Sequence, residues 1–151
     1  MKLSALIEDA AILEIVGDTK RDIKGICYDS RTVKQDYLFV CIVGFETDGH
    51  KYAEMAVKNG ASLIVAEDKI DVDVPVWYVE NSRVEIAEMA CKYYGNPSSK
   101  FKLIGITGTN GKTTITYLIK SIIETAGMRI GVIGTNQNII GDKVLVTQST
   151  T

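Results

Sequence analysis

The run Gly105-Ile106-Thr107-Gly108-Thr109-Asn110-Gly111-Lys112-Thr113-Thr114 places glycines, a lysine and paired threonines where an apolar stretch gives way to a helical pattern. A loop of that kind leaves backbone N–H groups pointing into a concavity at a helix N-terminus, where the partial positive charge of the helix favours phosphate. Gly108 and Gly111 permit backbone angles and a close approach that a Cβ would block. Lys112 has the reach and charge for β and γ phosphates, and the Thr113 hydroxyl is placed to ligate Mg²⁺. The strict G-x-x-x-x-G-K-[ST] pattern is not met, because Ile106 stands where its first glycine would be. The context that pattern requires is met, a strand before and an amphipathic helix after. A glycine-rich turn with a capping lysine would not need Gly, Lys, Thr and Thr in succession. A GTPase would need D-x-x-G and then N-K-x-D downstream; the sole D-x-x-G, from Asp22 to Gly25, lies upstream, and no N-K-x-D occurs.

The elements that must hold this loop follow from periodicity. Residues 101–106 read as a buried strand, and residues 112–126 as a helix in which Ile115, Leu118, Ile119, Ile122 and Ile123 keep the i, i+3, i+4, i+7, i+8 stripe that packs on a sheet. Gly127 stops that helix and residues 129–134 return as a second strand, so the expectation is a β-loop-α-β unit with a parallel pair and a right-handed crossover. Upstream, residues 23–28, 37–43, 62–66 and 76–79 are short, β-branched or aromatic runs and read as strands. Between them, residues 51–58 carry one apolar face and stop at Asn59-Gly60, while Ser82-x-x-Glu85 reads as a capping box opening a helix that ends at Gly95. Residues 95–100 are the densest turn-forming stretch and hold one of the two prolines, which marks a domain boundary.

Composition sets the frame. A chain of 151 residues with 46% hydrophobic and 24% charged side chains is globular, which argues against a disordered, fibrous or coiled-coil chain. With 17 basic against 19 acidic residues the net charge is −2, so no global field draws it to nucleic acid or an anionic membrane, and phosphate binding has to be local. Cys27, Cys41 and Cys91 sit in apolar surroundings without C-x-x-C spacing, as expected of buried free thiols in a reducing compartment. The first residues are broken by Glu8 and Asp9 and no apolar run approaches the roughly 18 residues of a bilayer span, so a cytoplasmic location is expected. His50, the sole histidine, follows Asp48-Gly49 at a helix start and reads as a capping or loop-ordering group, and Trp77 and Tyr78 read as core.

The phosphate loop, from Thr107 to Thr114, resembles the ATP loop of the Mur ligases, the amide-forming enzymes of peptidoglycan precursor synthesis, which share the departure from the strict pattern. Tyr28-Asp29-Ser30-Arg31, Leu38-Phe39-Val40, Gly44, Asp48-Gly49-His50 and Gly60-Ala61 are similar, in order, to the N-terminal nucleotide-sugar domain of the branch that adds the third or later peptide residues. Folylpolyglutamate synthases have a related ATP loop but lack that preceding domain. Gly131-Val132-Ile133-Gly134-Thr135 and the closing Thr147-Gln148-Ser149-Thr150-Thr151 resemble the MurE type; the MurF type, which adds D-Ala-D-Ala, usually has a glycine-asparagine run after this strand and stays the alternative.

The resemblance implies an α/β chain in which residues 1–98 form a small mixed-sheet domain that binds a UDP-sugar. Residues 99–151 then begin the central ATP-binding domain with its β-P-loop-α-β unit. It implies an ATP-dependent ligase that adds a diamino acid, L-lysine or meso-diaminopimelate, to UDP-MurNAc-L-Ala-D-Glu. In that mechanism ATP phosphorylates the D-glutamyl carboxylate, and the incoming amine displaces phosphate from the acyl phosphate. Thr107, Gly108, Thr109, Asn110, Gly111, Lys112, Thr113 and Thr114 would bind ATP, with Lys112 on the phosphates and Thr113 on Mg²⁺. Tyr28, Ser30, Phe45, Glu46 and Thr47 would contact the uridine end of the nucleotide-sugar, and Thr150 and Thr151 the muramoyl part. The same resemblance implies a monomer with no nucleic-acid or membrane partner, and a chain that is an N-terminal piece, binding but inactive alone. Two positions depart from the family: Ser149 stands where Asn is common, and Gln35-Asp36-Tyr37 where a Pro-Gly-Asp turn is common.

Overall fold

The computed structural model describes residue 6 and residues 11–18, 20–45 and 47–145. The chain divides into two compact units, Met1–Phe101 and Lys102–Thr151.

The first unit is built on a five-stranded sheet of β1 (Ile12–Val16), β2 (Gly25–Cys27), β3 (Tyr37–Val40), β4 (Ala61–Ala66) and β5 (Val76–Val79), in the order β1-β5-β4-β3-β2. Strands β2 to β5 run parallel and β1 closes the edge antiparallel to β5, so the sheet is mixed, as expected. Period-two alternation sends successive side chains to opposite faces. Leu38, Val40, Leu63, Val65, Trp77 and Val79 pack on one face with Met89 of α2 (Ser82–Tyr93). Phe39, Cys41, Ile64, Ala66 and Val76 pack on the other with Ala53 and Ala56 of α1 (Ala53–Lys58). Both faces are therefore covered, which is why β3 and β4 are nearly continuous apolar runs.

The differences from the sequence reading have local causes. The strand expected at 37–43 ends at Val40, because the following residues turn into a loop closed by Gly49 N–H donating to the Ile42 carbonyl at 2.9 Å. The α2 cap is Asn81, whose side chain accepts from the N–H groups of Arg83 and Val84 at 3.1 and 3.2 Å. Ser82 instead donates from its N–H and hydroxyl to Glu67 Oε1 at 2.8 and 2.7 Å, and Glu85 Oε1 accepts from the Ala11 N–H at 3.2 Å. The Ser-x-x-Glu spacing thus serves tertiary contacts and not a capping box. Asp36 takes up the left-handed turn conformation at φ +65°, and Lys24 Nζ holds its carboxylate at 2.6 Å, so the departure at 35–37 keeps the turn.

The second unit carries α3 (Lys112–Thr125) and an antiparallel sheet of β6 (Gly131–Val132), β7 (Asn138–Ile140) and β8 (Lys143–Leu145). Residues 101–106, expected as a buried strand, are not a strand, and Leu103 and Ile104 are exposed. The parallel pair fails with it, since Gly131 and Val132 pair antiparallel with Ile140 and Ile139. A short hairpin closes a small loop, whereas the crossover pair has to close one spanning a whole helix, and the local pairing wins. The α3 stripe consequently lacks the sheet it was expected to pack on: no residue of this helix is buried, and Ile115, Leu118 and Ile122 are exposed.

The cysteines differ from one another. Cys41 is buried, Cys27 half-buried and Cys91 exposed, contrary to the expectation that all are buried; Cys91 lies on a helix whose core face is carried by Met89 and Ile86. Burial, with a smaller contribution from Asp29, pushes the Cys27 thiol up to about 11, and burial with Asp48 pushes Cys41 up to about 12. Since the thiolate is the reactive species, a thiol reagent near neutral pH should label Cys91 in the native protein and leave Cys41 untouched until denaturant is added. Mass mapping of the labelled peptides checks this, with Cys91→Ser removing the fast phase.

Candidate functional site

The phosphate-loop residues lie in the second unit. Gly111 occupies the N-cap of α3 at φ +75°, and Gly108 lies at φ +146°. A Cβ at Gly111 would meet no atom within 4 Å, so the demand for glycine there is torsional and not steric. No side chain caps this helix and its first turn carries no acidic residue, which leaves the N-terminal dipole free of a competing anion. Lys112 folds its ammonium back over the loop, donating to the carbonyl of Gly108 and to that of Thr109 at 3.5 Å.

Lys112 and Thr113 line a cavity of about 210 Å³ together with Ile106, Thr116 and Tyr117, and residues 132–137 form its other wall. Gln137 Nε2 donates to the Tyr117 hydroxyl at 2.5 Å across it, and Gly134 N–H donates to Asn138 Oδ1 at 3.2 Å behind it. The volume is below the roughly 300–1,000 Å³ of complete small-molecule sites and suits a phosphate group better than a whole nucleotide. Thr107, Gly108, Thr109, Asn110 and Thr114 are exposed on the loop and first turn and do not line the cavity. Sequence reading missed Thr116, Tyr117 and Gln137; the helical spacing of Lys112, Thr113, Thr116 and Tyr117 could have found the first two. For Mg²⁺ the donor set is the Thr113 hydroxyl, with no carboxylate lining the cavity and no metal-ligating cluster among the described residues. That fits an ion held mainly by phosphate oxygens and water, the usual manner for Mg²⁺.

In the first unit, parallel pairing brings the loops after β2, β3 and β4 to one edge of the sheet, the edge at which open α/β sheets take ligands. Tyr28 and Ser30 follow β2, and Phe45 and Thr47 follow β3. Asp29 organises the first loop: Arg31 Nε and Nη2 donate to its Oδ1 and Oδ2 at 2.9 and 2.7 Å, the Arg31 N–H at 3.0 Å, and the Thr32 hydroxyl to its carbonyl at 2.9 Å. Ser30 is held at the centre, 6% exposed, with its hydroxyl donating to Met55 Sδ at 3.5 Å and its carbonyl accepting from Asn59 Nδ2 at 2.8 Å. Tyr28, Phe45 and Thr47 are exposed. Asn59 and Met55 act on Ser30 from α1 and its end, and nothing local in the sequence signals contacts that far apart. Glu46, Thr150 and Thr151 lie outside the described residues.

Two family models match the chain in succession: "Mur ligase family, catalytic domain" over residues 22–103 and "Mur ligase middle domain" over residues 106–151. The UDP-N-acetylmuramoyl-L-alanyl-D-glutamate--2,6-diaminopimelate ligase of Caldanaerobacter subterraneus is 50% identical over 140 residues, covering 91% of this chain and 29% of that protein. The enzyme of the same name from Clostridium tetani is 44% identical over 156 residues, covering all of this chain and 32% of that protein. The chain therefore spans about a third of these relatives' length. A solved structure of a UDP-N-acetylmuramoyl-L-alanyl-D-glutamate--2,6-diaminopimelate ligase matches over 95% of this chain and 29% of its own, at 27% identity and TM-score 0.75. A MurF ligase from Thermotoga maritima in complex with ADP matches over 66% of this chain and 23% of its own, at 31% identity and TM-score 0.52.

Hydrogen bonds from the Arg31 side chain, then its backbone N–H, hold Asp29 below the ordinary carboxylate value of 3.8; the His50 N–H and then its ring do the same for Asp48. A carboxyl whose folded value is depressed adds stability above its unfolded value and loses it as pH falls through the folded one. The melting temperature should therefore fall as pH drops below about 4. Asp29→Asn and Asp48→Asn should each flatten that acid limb while lowering the melting temperature at neutral pH, as calorimetric scans across pH will measure.

Proposed function

This chain belongs to the Mur ligase family, and we propose that it is part of an ATP-dependent ligase that joins a diamino acid to UDP-N-acetylmuramoyl-L-alanyl-D-glutamate. The observation that carries the proposal is the succession, in one chain, of a parallel-sheet unit with loop-borne Ser30 and a glycine loop that opens α3 with Lys112 and Thr113. In this reading residues 1–98 bind the UDP-sugar and residues 99–151 begin the ATP-binding domain. The relatives' names support 2,6-diaminopimelate as the added amino acid. The greater span of the diaminopimelate ligase structure, 95% of the chain against 66–78% for MurF structures, favours this branch over the MurF type. The reaction is placed in the cytoplasm, carried out by a monomer without nucleic-acid or membrane partners, and no helix among the described residues is long and apolar enough to cross a membrane.

The chemistry is phosphoryl transfer followed by acyl transfer. The D-glutamyl carboxylate takes the γ-phosphoryl group of ATP, releasing ADP and giving an acyl phosphate; the amine then attacks the acyl carbon, forming the amide as phosphate leaves. Catalysis of such steps is mainly positioning and neutralisation of developing negative charge. The N–H groups of residues 107–114 and the helix dipole would cradle the phosphates, and Lys112 would exchange its loop carbonyls for phosphate oxygens. Thr113 would ligate Mg²⁺, which supplies further charge neutralisation when bound. Tyr28, Ser30, Phe45, Glu46 and Thr47 would hold the uridine end, and Thr150 and Thr151 the muramoyl part.

Calorimetry on the 151-residue chain tests both halves. Ser30→Ala should weaken UDP-N-acetylmuramoyl-L-alanyl-D-glutamate about tenfold, and Lys112→Met should weaken MgATP by roughly 10- to 100-fold, the range of lost neutral and charge-assisted hydrogen bonds. Neither variant should affect the other ligand, and the chain alone should release no phosphate from ATP. Unchanged affinities in folded variants would overturn the assignment.

A further inference from the structure

We propose that His50 is a positioning residue: a neutral imidazole of fixed tautomer that bridges the loop at 42–48 to the end of β4 and so sets the shape in which Phe45 and Thr47 are presented. This rests on the reading of that loop as a nucleotide-sugar contact.

The side chain of His50 is 8% exposed, and its ring nitrogens face different elements. Nδ1 lies 2.6 Å from Asp48 Oδ1, while the backbone N–H groups of Glu67 and Asp68 donate to Nε2 at 3.0 and 3.2 Å. Two N–H donors aimed at Nε2 require a lone pair there, so the ring proton sits on Nδ1 and is donated to Asp48. Asp48 Oδ1 also accepts the His50 N–H at 2.9 Å, which fixes the start of the 3-10 turn Gly49–Tyr52.

Both ends of the bridge are anchored. On one side, Glu67 is tied through Oε1 to the first residue of α2, Ser82, so the amides facing Nε2 belong to a fixed strand end. On the other, the loop is closed by the Val43–Asp48 bridge and by Gly44 N–H donating to the Thr47 carbonyl at 2.8 Å, and Arg83 Nη2 donates to the Val43 carbonyl at 3.0 Å. A Cβ at Gly49 would lie 2.5 Å from the Ile42 nitrogen, so only glycine allows this closure beside His50. Phe45 at the tip is fully exposed and has no packing of its own to hold it. The placement of the tip is therefore inherited from its base, where His50 is the side chain that reaches β4.

The test uses the 151-residue chain, its His50→Ala and His50→Gln variants, and three readouts. The ¹⁵N spectrum of the wild-type imidazole should show a protonated Nδ1 and an unprotonated Nε2. Hydrogen exchange should show the Glu67 and Asp68 amides losing protection in His50→Ala. Calorimetry should show UDP-N-acetylmuramoyl-L-alanyl-D-glutamate weakened about tenfold by His50→Ala with MgATP unchanged. His50→Gln, which keeps one donor and one acceptor, should recover most of the affinity. A proton on Nε2, amides as protected as in wild type, or equal sugar-nucleotide affinity in wild type and His50→Ala would overturn the inference alone. Should His50→Ala not fold, the imidazole spectrum and the Gln variant decide. Deprotected amides in a chain whose wild type binds no sugar nucleotide would sink the reading of the loop and the inference with it.

Discussion

Parallel strands cannot be joined by a tight turn, so each connection from β2 to β5 has to leave the sheet and re-enter it at the edge where the previous strand began. Two consequences organise the first unit. Both faces of β3 and β4 are covered, which commits Leu38, Phe39, Leu63, Ile64 and Val65 to full burial, each worth about 2–5 kcal/mol against truncation to alanine. The strand ends all release their chain at one edge, and there the loops at 28–32, 42–48 and 67–70 must satisfy their own backbone groups, since they have no ladder to do it. The side chains of Asp29, Asp48 and His50, with Asn59 from the end of α1, perform that task.

This division of labour explains what could be read from the sequence. Strand β5 was legible to the residue and β4 to within one, because burial on both faces writes an unbroken apolar run. The helix ends at Asn59-Gly60 and Gly95 were legible from turn chemistry, and the phosphate loop from glycine, lysine and threonine spacing. Edge strand β1 was not, because Leu13, Ile15 and Val16 stay exposed and its pairing with Val76–Val79 is remote in sequence. Ser82 and Glu85 misled because the residue types that cap a helix are equally fit to reach Glu67 or Ala11, and spacing alone does not say which.

The second unit shows the limit of pattern reading from the other side. The stripe on α3 and the apolar run at 101–106 carry a clear β-α-β signature, yet amphipathicity states only that a face is to be covered, not that a partner is within the sequence. Gly131–Val132 found a hairpin partner seven to nine residues on, and Leu103, Ile104, Ile115, Leu118 and Ile122 stayed at the surface. The N-terminus of α3 is independent of that outcome. Its αL glycine, its first-turn amides and Lys112 are set by local torsions and by a hydrogen bond across one turn. A phosphate loop can hold its shape where the surrounding sheet is only partly paired, because its determinants are short-range.

The same accounting bears on the chemistry. Near the edge that would receive the nucleotide-sugar, Asp29 is forked to Arg31, Asp48 is paired with His50, and Glu67 accepts from Ser82. Each of these carboxylates orders backbone or anchors a helix, and none is left to move a proton. The cavity beside Lys112 has no carboxylate in its walls. Neither set of described residues offers a free general base, and what each can contribute is the holding of a ligand, with charge neutralisation added at Lys112. Transfer of a phosphoryl group to a carboxylate suits such residues, because the nucleophile is already ionised at neutral pH and needs no base to activate it.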